Sequence, residues 1–157
     1  MIKSRAVGAS TNIADLYRSH GDRLRRTAYL ATGSREVAED LVQEAFLRVQ
    51  QRWDHLDEPA AYLRVVVVNL CLSWQNRAGV ERRQLASSAP APVDEPAIDE
   101  TWDLLAHLPR DQRVVLVLRY YDDLTTDEIG RVLDVNPATV RTRLHRALSR
   151  LRRELSK

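Results

Sequence analysis

The sequence predicts an all-α protein made of two small helical domains joined by a flexible linker, the second of which carries a helix-turn-helix. Three observations lead there. Apolar residues recur every three or four positions through most of the chain; a proline-rich stretch, ASSAPAPVDEPA (Ala86 to Ala97), interrupts them; and LTTDEIGRVLDVNPATVRTRLHRA (Leu124 to Ala147) contains two helix starts separated by a short turn. The domains are expected at residues 10–85 and 99–157, with the linker at 86–98.

The first helix follows Ile13, Leu16, Tyr17, Leu24, Ala28 and Leu30 and is expected to end near Gly33, a residue suited to a left-handed cap. Ser34 can cap a second helix running through Leu41, Ala45 and Val49. A loop from Trp53 to Pro59 leads to a third helix, Ala60 to about Arg83. It is apolar along Tyr62, Leu63, Val66, Leu70 and Trp74 and basic at Arg77, Arg82 and Arg83. Its four consecutive valines, Val65 to Val68, also allow a strand, but helical flanks and the lack of a partner strand favour a helix. Pro90, Pro92 and Pro96, set among small and acidic residues, can neither sustain a helix nor bury a core, which makes this stretch the linker. Beyond it, Trp102, Leu105 and Leu108 precede Pro109, and a helix from Arg110 to Tyr121 leads into the final pair.

In that pair, Thr125 can accept from backbone N–H groups while Glu128 reaches back, forming a capping box. Ile129, Val132 and Leu133 form its apolar face, and Gly130 permits a close approach by the next helix. Asp134-Val135-Asn136 is the turn. Asn136 is the N-cap of the last helix, and Pro137 suits its first position, where a missing N–H costs nothing. Val140, Leu144, Ala147, Leu148 and Leu151 take the apolar side, so Arg141, Thr142, Arg143, His145, Arg146 and Arg150 point elsewhere. Such a helix fits the DNA major groove, where arginines pair bidentately with guanine. From Arg131 to Lys157 eight basic residues face two acidic ones, an excess that attracts phosphate. The competing reading is an ordinary antiparallel helix pair with a solvated arginine face, and His145 alone does not separate the two.

The net charge of +2 conceals segregation, because Ser34 to Glu58 holds seven acids against three arginines. Different surfaces are expected to meet different partners. Cys71 is the only cysteine, which leaves no internal disulfide and no cysteine-based zinc site. The cytoplasm is the simplest expected location. The apolar run at Val65 to Leu72 is far short of the ~18 residues that span a bilayer, and MIKSRAVGAS lacks a signal core. No nucleophile–base set, phosphate loop or metal-ligand spacing is visible, so neither an enzyme nor a cofactor is expected.

With these blocks in place, ATGSREVAEDLVQEAFLRV (Ala31 to Val49), AYLRVVVVNLCLSWQNR (Ala61 to Arg77) and the stretch from Leu108 to Arg152, the chain resembles bacterial sigma factors of the extracytoplasmic-function class in the sigma-70 family. The resemblance covers nearly everything from Ile13 to Leu155. It implies a transcription initiation factor that binds core RNA polymerase through the clamp helices of its largest subunit and the flap of its second-largest, with promoter DNA as a further partner and an anti-sigma factor as the expected inhibitor. It assigns Asp40, Gln43 and Glu44 to the polymerase. Their spacing permits one shared exposed face, which the residues taken alone favour reading as a solvated surface.

The resemblance likewise assigns Trp53, Arg64, Asn69 and Arg77 to the minus-ten element, read as a flipped base in melted single strand. Trp53 and Trp74 also suit a core, and Asn69 also suits a buried amide. The family often carries a basic residue where this chain has Val68. Duplex reading of the minus-thirty-five element falls to Thr139, Arg141, Thr142, Arg143, His145 and Arg146. Asp134 stands where the family usually has glycine, and aspartate tolerates the left-handed conformation such a turn needs. Two other readings remain open to the sequence: a stand-alone helix-turn-helix regulator, and a mimic that occupies polymerase or inhibitor without initiating.

Overall fold

The computed structural model describes residues 12–84 and 96–157, and gives the backbone alone for 78–84 and 96–99. Among the described residues seven α-helices follow in order: α1 (Ile13–Thr32), α2 (Arg35–Gln51), α3 (Pro59–Gln84), α4 (Pro96–Ala106), α5 (Arg110–Tyr120), α6 (Thr126–Leu133) and α7 (Pro137–Leu155). No strand occurs among the described residues, and the valine run lies inside α3.

Local chemistry sets the boundaries. Asn12 accepts the N–H of Asp15 at 2.9 Å and starts α1. Gly33 ends that helix at φ 78°, its N–H donating to the Tyr29 carbonyl at 2.7 Å. Ser34 then accepts from Val37 N–H and opens α2. The loop expected at Trp53 to Pro59 tightens into a single 3₁₀ turn, Trp53–His55.

Most of the proline-rich stretch lies outside the described residues, but its end corrects the expected boundary. Pro96 and Ala97 belong to α4 rather than to the linker. Proline at a first helical position surrenders an N–H that no helix bonds, so it starts this helix instead of breaking it.

Helices α1, α2 and α3 pack against one another, and α5, α6 and α7 form the second set. Leu16, Val42, Val49, Leu63 and Val67 are essentially sealed in the larger core. Each such side chain contributes about 1.5–3 kcal/mol over an exposed one. The cores do not divide at the chain boundary between the sets: Leu105, Leu108, Val117 and Ala147 join the larger cluster, while Val68 joins the one built on Val115, Ile129 and Val140.

Candidate nucleic-acid interface

The helix-turn-helix forms as its residues predict. Thr125 Oγ1 accepts the Glu128 N–H at 3.2 Å, and Asn136 Oδ1 accepts the Ala138 N–H at 2.9 Å with Pro137 beginning α7. Asp134 takes the left-handed conformation, φ 54°, and closes α6. Gly130 meets the turn so closely that a Cβ there would lie 2.8 Å from the Val135 carbonyl oxygen.

Val140, Leu144 and Ala147 bury one side of α7. At about 100° per residue, Thr142 and His145 lie at the middle of the opposite side, with Arg141 and Arg146 flanking them. All four are exposed. Two of the six residues assigned to duplex reading turn away from that centre. Thr139 is half-buried, and Arg143 leans toward α5, where its Nε lies 3.5 Å from an Asp111 carboxylate oxygen. Thr142 donates its hydroxyl to the Ala138 carbonyl at 3.0 Å, which fixes its methyl and hydroxyl relative to the helix. The arrangement presents a polar strip between two arginines, beginning at the positive end of a capped helix and suited to bases and phosphates.

A second polar surface lies on α3. An open cleft of about 780 Å³ runs between α2 and α3, with Asn69 and Arg77 on one wall and the Glu44–Arg48 pair, 2.7 Å apart, on the other. Sequence reasoning found Asn69 and Arg77 but missed Tyr62, Ser73 and Asn76, which line the same cleft. Their signal was a stripe: positions 62, 69, 73, 76 and 77 stack along one helical face. Tyr62 reads as core by type, yet its hydroxyl sits 3.4 Å from the Arg52 guanidinium, which lies 5.8 Å over its ring. Trp53 is half-buried against the larger core, as is Trp74. Asn69 is exposed, which excludes the buried-amide reading.

Arg64 is not part of this cleft. It acts electrostatically on Asp122 and His20, at the seam between the helical sets. Burial pushes the Asp122 carboxyl up, against the opposing pull of hydrogen bonds from Arg23 and Thr27. Burial, Arg64 and Arg23 together hold His20 below its ordinary value.

On α2, Asp40, Gln43 and Glu44 are all exposed. Glu44 is bonded to Arg48 and Gln43 to Glu39 at 3.4 Å, while Asp40 has no intramolecular partner among the described residues. A third feature, a groove of about 360 Å³ between α4 and the end of α7, is bordered by the partly exposed Leu104 together with His107, Leu151 and Glu154. Among the described residues no group of three or more His, Cys, Asp or Glu side chains gathers to hold a metal, and no helix is long and apolar enough to cross a membrane.

Comparison with known proteins bears on both surfaces. Residues 16–80 match the family model described as sigma-70 region 2, and residues 98–151 match sigma-70, region 4. The chain is 32% identical to the RNA polymerase sigma-E factor of Streptomyces avermitilis, across 96% of the chain and 88% of that protein. It is 28% identical to the ECF RNA polymerase sigma factor SigW of Bacillus subtilis, across 98% and 92%. In fold it is similar to the sigma factor RpoE of Bartonella quintana, solved in complex with the anti-sigma factor NepR (TM-score 0.72, 21% identity, 90% of this chain and 97% of that one). It is also similar to CnrH in complex with the cytosolic domain of CnrY (TM-score 0.70, 20% identity, 92% and 87%).

Proposed function

The chain belongs to the extracytoplasmic-function class of RNA polymerase sigma factors, and we propose that it carries core polymerase to two-element promoters and opens the duplex there. The observation that carries this reading is the presence, in one chain, of a capped major-groove helix and a separate polar cleft on α3. One suits duplex and the other suits single strand.

In this reading the α7 strip, Arg141, Thr142, His145 and Arg146, reads the minus-thirty-five element as duplex. Arg143 braces the helix against Asp111. The cleft reads the minus-ten element after melting. Asn69 offers its amide to an extruded base, Tyr62 offers a ring face, and Arg77 holds the backbone. Extrusion costs a few kcal/mol, which stacking and hydrogen bonding in the cleft must offset.

The exposed Asp40, with Gln43 and Glu44 beside it, presents carboxylates to arginines of the polymerase clamp helices, and the groove at Leu104 receives the flap. Because both readers ride on one polymerase, two modest DNA contacts become selective through effective concentration. The chain adds no catalysis of its own; nucleotide transfer belongs to the polymerase, in the cytoplasm where it works. An anti-sigma factor is the expected inhibitor, as NepR and CnrY are partners of the two structural neighbours.

The test is reconstitution with sigma-free core polymerase on fragmented bacterial genomic DNA, sequencing the transcripts that depend on the added protein. Start sites sharing two spaced upstream motifs are expected. Tight binding to duplex fragments without any dependent transcript would establish a stand-alone regulator instead.

A further inference from the structure

Helix α7 is 19 residues long, about 28 Å at 1.5 Å per residue, and only its first half carries the reading strip. The major groove is about 12 Å wide and curves around the duplex, so a straight helix of that length leaves it. With Thr142 and His145 at the base edges, the groove wall stands about 6 Å away from them. Arg150, five residues beyond His145, lies about 7.5 Å further along the axis. That puts it level with the sugar–phosphate wall, past the last base edge the helix can reach.

Arg150 has a companion. Seven residues separate it from Arg143, close to two full turns, so the two arginines share one flank of α7 about 10.5 Å apart. Their surroundings differ. Arg150 is exposed, and among the described residues no carboxylate pairs with it. Glu154, the acid of the α4–α7 groove that Arg150 also borders, is bonded instead to Lys157 at 3.0 Å. Arg143, by contrast, is drawn back to Asp111 of α5, with 28% of its side chain and 50% of the aspartate's exposed. An ion pair that open to water contributes little, and its Nε–Oδ2 distance of 3.5 Å is loose for a charge-assisted hydrogen bond. A phosphate oxygen can replace it.

We propose that this flank is a phosphate grip, a role that rests on the reading of α7 as the duplex binder. Arg150 holds the duplex backbone whatever the sequence beneath it, and Asp111 sets the strength of the grip by holding Arg143 in reserve. The arginines of one helix are thereby divided by task. Arg141 and Arg146 flank the strip and choose the site, while Arg150 adds affinity without choice and Arg143 is available to add more. Each guanidinium that neutralises a phosphate releases counterions and steepens the log–log dependence of affinity on salt by about 0.9. Contacts to base edges carry a different signature, because they change with sequence.

The experiment measures binding of the polymerase complex, reconstituted with the full chain, to two duplexes across a salt series. One bears the minus-thirty-five element found by transcript sequencing, and the other has that element scrambled. Arg150→Ala should weaken both by the same factor and lower the salt slope by about 0.9, a difference of about 3.5-fold between about 50 and 200 mM salt. Arg150→Lys should restore the slope, since a phosphate accepts a point charge where a bidentate guanine pair does not. Asp111→Asn should strengthen binding to both duplexes and raise the slope by about 0.9, and the gain should vanish when Arg143→Ala is added. Circular dichroism confirms that each variant is folded.

An unchanged slope in Arg150→Ala, or a loss confined to the unscrambled duplex, overturns the grip. So does reduced co-migration with polymerase at intact duplex affinity, which would place Arg150 in the α4–α7 groove. A gain in Asp111→Asn that survives Arg143→Ala reflects removal of a repelling charge and overturns the role of Asp111. If the unmutated complex binds the two duplexes alike, the duplex-reading role of α7 fails and the grip with it.

Discussion

Helices α7 and α3 each carry a polar surface that we propose binds nucleic acid, yet only α7 displays it openly in the sequence. In α7, Val140, Leu144 and Ala147 form one buried stripe, and Arg141, Thr142, His145, Arg146 and Arg150 are exposed away from it. In α3, Leu63, Val66, Val67, Val68, Leu70 and Cys71 are all buried, because the helix packs against α1, α2 and α6. A helix buried on several sides spreads its apolar residues around its circumference and leaves a narrow polar strip. The polar face of α7 is thus what remains after packing on two neighbours, α5 and α6, whereas that of α3 is what remains after three.

The largest expected effect follows from this asymmetry. Leu63→Ala, at a site sealed from solvent, should cost about 2–5 kcal/mol in denaturant unfolding. Leu144→Ala, at the partly open edge of its core, should fall at the low end of that range. Equal losses would mean that the two helices are equally embedded.

Next come the base contacts. Arg141→Ala and Arg146→Ala should each weaken promoter choice by about 1–3 kcal/mol while leaving polymerase affinity intact. Arg143→Ala should change promoter choice far less, since its guanidinium is turned to Asp111. Competition binding of promoter variants by the polymerase complex measures both. A loss at Arg143 matching that at Arg146 would show that Arg143 swings into the groove.

Asn136→Ala removes the cap of α7 and should cost about 1 kcal/mol in thermal or denaturant unfolding.

The smallest effect lies at the seam and depends on pH. His20 titrates below 6.5 when folded, so as pH falls below 6.5 the unfolded chain binds a proton that the folded chain resists, and stability declines. His20→Gln should flatten that decline. Asp122 has the opposite sign: its raised value adds stability as pH falls toward 3.8, and melting curves across pH for the unmutated chain and His20→Gln distinguish the two contributions.

These contrasts also explain what the sequence made legible. The caps at Ser34, Thr125 and Asn136, the left-handed Gly33 and Asp134, and the close approach at Gly130 are local, and each is read from a few neighbouring residues. The seam was not legible, because Arg23 meets Asp122 across 99 positions and no periodicity encodes such a pairing. Val68 stood out only as a departure from its family; its role in filling the second core needed the packing of α3 on α6. The cleft was half legible: Asn69 and Arg77 were identified, whereas Tyr62 was hidden by its apolar type. The start of α4 at Pro96 was masked by neighbouring prolines that read as linker.

We propose that α7 reads duplex and α3 reads a melted strand. The direct measurement is binding of the reconstituted polymerase complex to two separate ligands, a duplex minus-thirty-five fragment and a single-stranded minus-ten oligonucleotide, for Arg146→Ala and Asn69→Ala. A crossed pattern is predicted, with Arg146→Ala losing the duplex alone and Asn69→Ala losing the single strand alone. Equal loss of both ligands by either variant would contradict the division of labour between the two helices.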